Sequence, residues 1–120
     1  MVRGACHCGA VRIVMDPAPS WVLDCNCSIC RRYGALWAYD SPRRVQVTPP
    51  EGATDIYVRG ERLIEFHRCK TCGCVTHWTA VDTSIDRMGV NVRLMPPEVL
   101  AAARVKHLDG ADTWTERYDS

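Results

Sequence analysis

The eight cysteines of this chain fall into three groups whose spacing is typical of metal ligands. Within each group, neighbouring cysteines are separated by one or two residues. That separation suits a disulfide poorly, because a disulfide needs a specific Cα distance and side-chain direction, but it lets several sulfurs reach one ion. We therefore expect metal binding, with redox-active thiols as the alternative. In chain order the groups are Cys6 and Cys8; Cys25, Cys27 and Cys30; and Cys69, Cys72 and Cys74.

Two cysteine pairs, each followed by a glycine, predict a closed structural site. A positive φ at such a glycine turns backbone N–H groups toward the sulfurs and stabilises their negative charge. Two turns of this kind, brought together from distant parts of the chain, supply the four thiolates of a tetrahedral zinc site. The predicted ligands of this structural zinc are Cys6, Cys8, Cys69 and Cys72, with Gly9 and Gly73 as the two glycines.

The cysteines at 25, 27 and 30 predict a second zinc site of a different kind. Three thiolates from one short loop can hold zinc and leave its fourth position open, which a catalytic or ligand-exchanging zinc requires. We therefore take Cys25, Cys27 and Cys30 as the candidate catalytic group. The alternative is a closed site with a fourth protein ligand, either Cys74 or a histidine.

Several polar and aromatic residues near the cysteines are candidates for other roles. Arg31 and Arg32 follow the three-cysteine loop, and arginine binds carboxylates through two parallel hydrogen bonds. Tyr33 and Trp37 could line a pocket wall, with ordinary packing as the alternative. We expect the histidines that flank the last cysteine group to be hydrogen-bonded at the surface, and Asn91 to satisfy loop backbone groups. These histidines are His67 and His77.

Short apolar or alternating segments predict that the elements positioning these residues are mostly strands. One short helix is expected near the C-terminal end, opened by Pro96, Pro97 and Glu98 and continued by VLAAARV, and a helical turn is expected over 28–32. The expected fold is mainly β, with small antiparallel sheets held together by zinc. The predicted strands are 10–15, 21–25, 35–39, 45–48, 55–58, 63–68, 75–80 and 88–94.

Length, composition and charge are those of an ordinary globular domain. The 120 residues are 47% hydrophobic and 24% charged, which predicts a single domain over residues 1–120. A net charge of +1 argues against binding to nucleic acid or to an anionic membrane. No apolar run approaches the roughly 20 residues of a membrane-spanning helix, and cysteines begin at position 6, so we expect a cytoplasmic protein. The sequence does not indicate an oligomeric state.

Four segments together form a specific pattern that covers most of the chain. They are GACHCGAVRI at 4–13, CNCSICRRYGA at 25–35, FHRCKTCGC at 66–74 and GVNVRLM at 89–95. With this pattern the chain resembles the glutathione-dependent formaldehyde-activating enzyme family, also described as the GFA/CENP-V domain. That resemblance implies an Mss4-like fold of small β-sheets around zinc. Position 74 is usually a small hydroxyl residue in the family, so Cys74 is a departure from the pattern.

The resemblance also implies a division between the two zinc sites. Cys6, Cys8, Cys69 and Cys72 match the structural ligands, and Cys25, Cys27 and Cys30 match an exchangeable, partly occupied zinc beside which glutathione binds. The implied activity is that of a carbon–sulfur lyase, which condenses glutathione or a similar thiol with formaldehyde or another small aldehyde to give products such as S-hydroxymethylglutathione.

Two other functions are open at this point. One is a non-catalytic, zinc-stabilised thiol carrier or adaptor built on the same fold. The other is a zinc ribbon that binds nucleic acid, which fits the cysteine turns but not the charge balance.

Overall fold

Two β-sheets form the framework of the structure, a computed structural model that describes residues 1–60 and 62–118. The small sheet has three strands and the large sheet has eight. The strands are β1 Val2–Ala5, β2 Arg12–Met15, β3 Trp21–Cys25, β4 Trp37–Asp40, β5 Val45–Thr48, β6 Thr54–Val58, β7 Ile64–Cys69, β8 Val75–Ala80, β9 Met88–Asn91, β10 Arg104–Leu108 and β11 Glu116–Tyr118. The small sheet runs in the order β1-β2-β5, and the large sheet in the order β11-β10-β3-β4-β9-β8-β7-β6.

Helices are short and lie between strands. Helix α1, Cys30–Tyr33, ends at Gly34, whose φ of 64° stops the helix and whose N–H donates to the Cys30 carbonyl. Helix α2, Pro97–Ala102, begins with proline, which has no N–H to leave unpaired in the first turn. Two 3₁₀ turns complete the set, Pro42–Arg44 and Val92–Leu94. No helix within residues 1–60 and 62–118 is long and apolar enough to cross a membrane.

The prediction of a mainly β fold is confirmed. Three strands, β3, β5 and β8, have the bounds that the sequence predicted. The predicted strand over 88–94 stops at Asn91, because the Asn91 side chain accepts the N–H of Arg93 and starts a 3₁₀ turn there. Strands β1, β10 and β11 were not predicted, because glycine in β1 and charged side chains in β10 and β11 hide the apolar alternation.

The late helix was predicted too long, and the strand that replaces its end makes the one parallel pair among the described strands. The helical pattern was expected to continue to Val105, but α2 ends at Ala102 and β10 follows. Strand β10 pairs in parallel with β3, so Leu108 lies beside Cys25. The expectation of antiparallel sheets holds for the other described pairs.

The large sheet separates two apolar clusters. One face packs against the small sheet, and the fully buried Ile13, Val22 and Val90 lie in that core. Burial of a side chain of this size contributes about 1.5–3 kcal/mol relative to exposure. The opposite face carries an aromatic cluster that includes Trp37 and Phe66. Because side chains alternate along a strand, β3 sends Val22 to the core, and Leu23 and Cys25 to the aromatic face.

Candidate metal centres and the adjoining cleft

Four cysteine sulfurs meet where the first turn of the chain reaches the end of β7. One ligand atom from each of the four residues lies within 4.8 Å of all the others. The Sγ atoms of Cys6 and Cys8 are 3.7 Å apart, and those of Cys8 and Cys69 are 3.6 Å apart. A tetrahedral zinc with Zn–S bonds of about 2.3 Å would place its sulfurs about 3.8 Å apart. The group consists of Cys6, Cys8, Cys69 and Cys72.

The two glycines that follow these cysteine pairs shape the turns as predicted. Gly9 has a φ of 82° and Gly73 a φ of 80°. Their N–H groups close each turn on a cysteine carbonyl, Gly9 on Cys6 at 3.0 Å and Gly73 on Cys69 at 2.9 Å. Residues with a Cβ rarely adopt this backbone conformation, so glycine is required at both positions.

Backbone N–H groups point at sulfurs of this group and favour the thiolate forms of Cys69 and Cys72. The N–H of Val11 donates to Cys6 Sγ at 3.3 Å, and that of Thr71 donates to Cys69 Sγ at 3.4 Å. Donation from the backbone of Cys74 and then of Cys8 lowers the pKa of Cys72 to about 5. Donated hydrogen bonds stabilise the negative charge that a metal ligand must carry.

The three cysteines of the second group lie together at the end of β3 and the start of α1. Their ligand atoms lie within 4.8 Å of one another, and no fourth described residue joins the group. The N–H of Cys27 points at Cys25 Sγ at 3.5 Å, and the N–H of Cys30 at Cys27 Sγ at 3.4 Å. Cys25 and Cys30 are buried, whereas Cys27 is half-buried. The structure therefore brings together the three residues that the sequence grouped.

Trp37 gives this second group a hydrogen bond from the side. Its Nε1–H donates to Cys30 Sγ at 3.4 Å from a buried position on β4. The pKa of Cys25 is lowered to about 6, first by the Cys30 thiol and also by backbone N–H groups including that of Gly110. The pKa of Cys30 is raised, because its thiol donates to Cys25 and is buried. Cys25 therefore loses its proton more easily than an ordinary cysteine, and Cys30 less easily.

Cys74 lies with the four-cysteine group, away from the three-cysteine group. Its carbonyl accepts the N–H of Cys69 at 2.9 Å, and its side chain packs beside Cys6 and Cys69. It does not belong to either group of ligand atoms. The alternative in which Cys74 closes the second site therefore has no support in the geometry.

Asn26, which stands between two cysteines of the second group, fixes the loop between β10 and β11. Its Nδ2 donates to Asp109 Oδ1 at 2.9 Å, and its Oδ1 accepts the N–H of Ala111 at 3.0 Å. A Cβ on Gly110 would lie 2.8 Å from Cys25 Sγ, so only glycine lets the loop approach the sulfur this closely. Sequence reasoning missed these residues, although a polar side chain between two ligands was a visible signal.

A cleft of about 570 Å³ opens beside the three cysteines, which form part of its wall. Its floor is aromatic, because β4, β7 and β8 present Tyr39, Phe66 and Trp78 on the same face as Cys25. The rings of Tyr39 and Trp78 are 5.8 Å apart, and Trp37 and Phe66 are 6.0 Å apart. Such spacing is typical of packed aromatic pairs.

Two loops form the rim of the cleft. The β6–β7 turn supplies Arg59, Gly60 and Leu63, and the β10–β11 loop supplies Trp114. Leu63 is 62% exposed and Trp114 is 66% exposed. No functional role was assigned from the sequence to the loop between the strands predicted at 55–58 and 63–68 or to Trp114, so both parts of the rim were missed.

Of the four residues predicted to bind substrate, one lines the cleft and three do not. Trp37 lines the cleft. Tyr33 is half-buried and packs its ring against Phe66 at 5.5 Å, outside the residues that line the cleft. Arg31 and Arg32 are exposed on α1 and do not line it either, and the Arg32 guanidinium donates to the Ser28 carbonyl at 2.8 Å.

Two other predictions about polar residues have clear outcomes. Asn91 satisfies backbone groups as expected, since its Nδ2 donates to the Val75 carbonyl at 2.8 Å. The histidines are hydrogen-bonded as expected, but the predicted surface position is wrong for His77, which is 4% exposed. It stacks on His67 of the neighbouring strand with ring centres 4.1 Å apart, and burial lowers the pKa of His77 to about 3. Sequence alone did not reveal that this strand is covered on both faces.

The donor chemistry of both groups fits a metal ion. Thiolates are soft ligands that select zinc and similar ions, and the sulfur separations of the four-cysteine group match a closed tetrahedral site. The three-cysteine group supplies three ligands and lines the cleft, so it would fit a metal ion that keeps one further position for a ligand. All eight cysteines are free thiols, as metal ligation requires.

Comparisons with known proteins agree with this geometry. A family model described as "Glutathione-dependent formaldehyde-activating enzyme" matches residues 1–109. The fold is also similar to a crystal structure of a Rhodobacter sphaeroides protein, with a TM-score of 0.69 and 30% sequence identity. That similarity covers 86% of this chain and 98% of the other.

Proposed function

This chain belongs to the glutathione-dependent formaldehyde-activating enzyme family, and we propose that it is a zinc-dependent carbon–sulfur lyase that joins a small thiol to a small aldehyde. Glutathione or a similar thiol and formaldehyde or a related aldehyde are the proposed substrates. The proposal takes residues 1–120 as a single cytoplasmic domain with two zinc sites. The observation that carries it is the group of Cys25, Cys27 and Cys30, which has three sulfurs, no fourth described ligand and a wall in common with a cleft.

The four-cysteine group is proposed as the structural zinc site. It joins the turn after β1 to the turn after β7, and so connects the small sheet to the large one. A structural zinc of this kind contributes folding free energy on the order of 10 kcal/mol in small domains. The three-cysteine group is then free to serve substrate binding.

Zinc held by Cys25, Cys27 and Cys30 would supply one further position, at which a substrate thiol is held as its thiolate. Hydrogen-bond donors of the chain stabilise the sulfurs that would hold this zinc. The backbone N–H of Cys30 and the Trp37 indole N–H spread the negative charge of the ligand sulfurs. The aromatic floor of the cleft excludes water from the reacting sulfur and strengthens these electrostatic interactions.

The proposed reaction is an addition and its reverse. The thiol sulfur forms a bond to the carbonyl carbon, the π electrons of the carbonyl move to its oxygen, and that oxygen takes up a proton equivalent to the one that the thiol has lost. The product is a hydroxyalkyl thioether, and its breakdown returns the thiol and the aldehyde. The protein contributes by holding the thiol in its reactive form next to an apolar space for the aldehyde.

The experiment is a measurement of adduct exchange by NMR with zinc-loaded protein, glutathione and formaldehyde. We expect exchange between free and adduct signals to be faster than in buffer, and Cys27→Ser to abolish the acceleration. The matched control is Cys74→Ser, which changes a cysteine outside both ligand groups. Exchange at the buffer rate by a protein with both sites loaded would reject the enzyme and favour the non-catalytic carrier.

A further inference from the structure

We propose that the thiol taken by the Cys25, Cys27 and Cys30 site carries an aromatic or similarly bulky apolar body and a single carboxylate, selected by Trp114 and Arg59. The inference rests on the proposed function, because it specifies the substrate class of the same site. Glutathione has no large apolar group, and it carries two carboxylates and an ammonium. Within the proposed class of glutathione and similar thiols, the cleft lining favours one with an apolar body.

The lining of the cleft is mostly apolar. Leu23, Ile64, Phe66 and Trp78 form it together with the three cysteines. Among the described residues that line the cleft, no acid is present to pair with an ammonium group. Placing a charged peptide-like body against such a surface would remove its water without replacing the lost hydrogen bonds. An aromatic body would instead gain from burial on both sides.

Two large apolar side chains on the rim are left open to solvent. Leu63 on one loop and Trp114 on the other are each more than half exposed while lining the same cleft. Exposed apolar side chains grouped around a concave site are typical of a surface that a ligand covers.

Trp114 has a backbone conformation that is unfavourable for a residue with a large side chain. Its φ is 58°, a left-handed conformation that bulky residues rarely adopt. Its N–H donates to the Asp109 carbonyl at 2.7 Å, and the Asp109 carboxylate is itself fixed by Asn26 and Thr113. The backbone of Trp114 is therefore tied through Asp109 and Asn26 to the loop that carries the three sulfurs.

Arg59 is the one charged residue that lines the cleft within residues 1–60 and 62–118. A guanidinium binds a carboxylate through two parallel hydrogen bonds, and its plane also packs on aromatic surfaces. One cation in an apolar cleft matches one carboxylate on the ligand. Arg31 and Arg32 lie outside this lining and cannot supply the match from their present positions.

The part of the chain that carries Trp114 also lies outside the family match, which ends at residue 109. The metal-binding cysteines all fall within the matched residues. The substrate body would thus be recognised by a loop that the family model does not describe. This arrangement is expected where related proteins share the chemistry at sulfur but differ in the molecule that carries it.

Calorimetric titration of the zinc-loaded protein tests the proposal with four small probes. The first, 2-benzyl-3-mercaptopropanoate, has the thiol, the ring and one carboxylate. We expect it to bind about tenfold or more tightly than 3-mercaptopropanoate and glutathione, because burial of the ring adds to the sulfur contact. Glutathione binding as tightly as the benzyl compound would overturn the proposed substrate class. The fourth probe is the hydroxyl analogue, 2-benzyl-3-hydroxypropanoate.

Matched variants assign the effect to the two rim residues. Trp114→Ala should weaken binding of the benzyl thiol about tenfold and leave 3-mercaptopropanoate unchanged, since only the former has a ring. Arg59→Gln should weaken binding of the benzyl thiol but not of its methyl ester, which serves as a fifth probe. The controls are Ile85→Ala and Arg12→Gln, exposed residues that do not line the cleft. Loss of affinity in the controls equal to that in the rim variants would count against selection by the rim.

The hydroxyl analogue separates failure of this inference from failure of the proposed function. If the thiol and its hydroxyl analogue bind equally, and both depend on Trp114 and Arg59, then the selection stands and the thiol chemistry is rejected. If thiols bind only when Cys27 is intact, but Trp114→Ala and Arg59→Gln change nothing, then the thiol chemistry stands and the proposed substrate class is rejected.

Discussion

The indole ring of Trp78 lies over the Cα of Gly89 on the neighbouring strand, so that a side chain at position 89 would overlap the ring. This relationship places the Trp78 ring in the floor of the cleft, beside Tyr39 on the strand beyond. The Trp78 ring can therefore occupy this position because residue 89 is a glycine.

Gly89→Ala is expected to destabilise the protein by about 1–3 kcal/mol, because the new methyl group must displace a ring that is packed on the sheet. Urea unfolding at constant zinc measures the change. The double variant with Trp78→Ala should recover part of the loss, since the overlap is then gone. Simple additivity of the two single changes would contradict the overlap.

Asn26→Ala should loosen the β10–β11 loop and leave the sheets intact. The side chain supplies two hydrogen bonds to that loop, one of them to the N–H of Ala111. Hydrogen exchange of the Ala111 amide is expected to become about tenfold faster, which corresponds to the loss of about one hydrogen bond. Ser84→Ala is the control, because Ser84 bonds to Asp82 in its own exposed turn, away from the β10–β11 loop. Unchanged protection at Ala111 would show that Asn26 does not hold the loop.

The two cysteine groups should respond differently to loss of a ligand. Cys69→Ser is expected to prevent stable folding, because this buried sulfur belongs to the group that links the sheets. Cys27→Ser should remove about one equivalent of zinc and keep the fold, because its group lies between β3 and α1 and does not join the two sheets. Metal analysis together with circular dichroism distinguishes the two outcomes. Equal loss of structure in both variants would be inconsistent with a division between structural and substrate-binding sites.

The free energy of unfolding should decline as the pH falls from about 7, because a histidine in the unfolded chain then begins to bind a proton. The pKa of His77 is lowered to about 3 by burial and by His67, whereas an unfolded histidine has a pKa of about 6.5. Between these values the unfolded state binds one more proton than the folded state, so acid favours unfolding. From pH 7 to pH 5.5 this group alone should cost about 1 kcal/mol.

The His77 contribution is isolated by comparison with His77→Gln. The difference between wild type and variant in the pH dependence of urea unfolding removes the contribution of the cysteine ligands, which is common to both. His7→Gln, a change at an exposed histidine, should leave the wild-type pH dependence intact. An NMR titration that found His77 protonating near pH 6.5 would refute the expected burial effect.

The two cysteine groups could be predicted from sequence because their members are close together and chemically distinctive. Cysteines separated by one or two residues already share a loop, and only the meeting of two such loops remained to be inferred. The strands β3, β5 and β8 were equally accessible, since their apolar alternation is local. In these cases the information lies within a few neighbouring residues.

The cleft could not be predicted, because its residues meet only through the order of the strands. Arg59 and Trp114 are far apart in the chain, and each looks like an ordinary loop residue until β7 and β10 take their places in one sheet. The same is true of β10 itself, where charged residues hid a strand whose partner, β3, lies about eighty residues earlier. Arginines next to the cysteines were the nearer candidates, but α1 directs them to solvent.

The parallel pairing of β3 with β10 has a consequence for the order of assembly during synthesis. All four ligands of the first centre are available once Cys72 has been made, whereas the wall beside Cys25 is complete only after β10 and Trp114 follow. The four-cysteine group can therefore assemble before β10 has joined the sheet. Pairing between strands so distant in sequence is slow, so we expect Cys25, Cys27 and Cys30 to remain without their partner strand until late in folding.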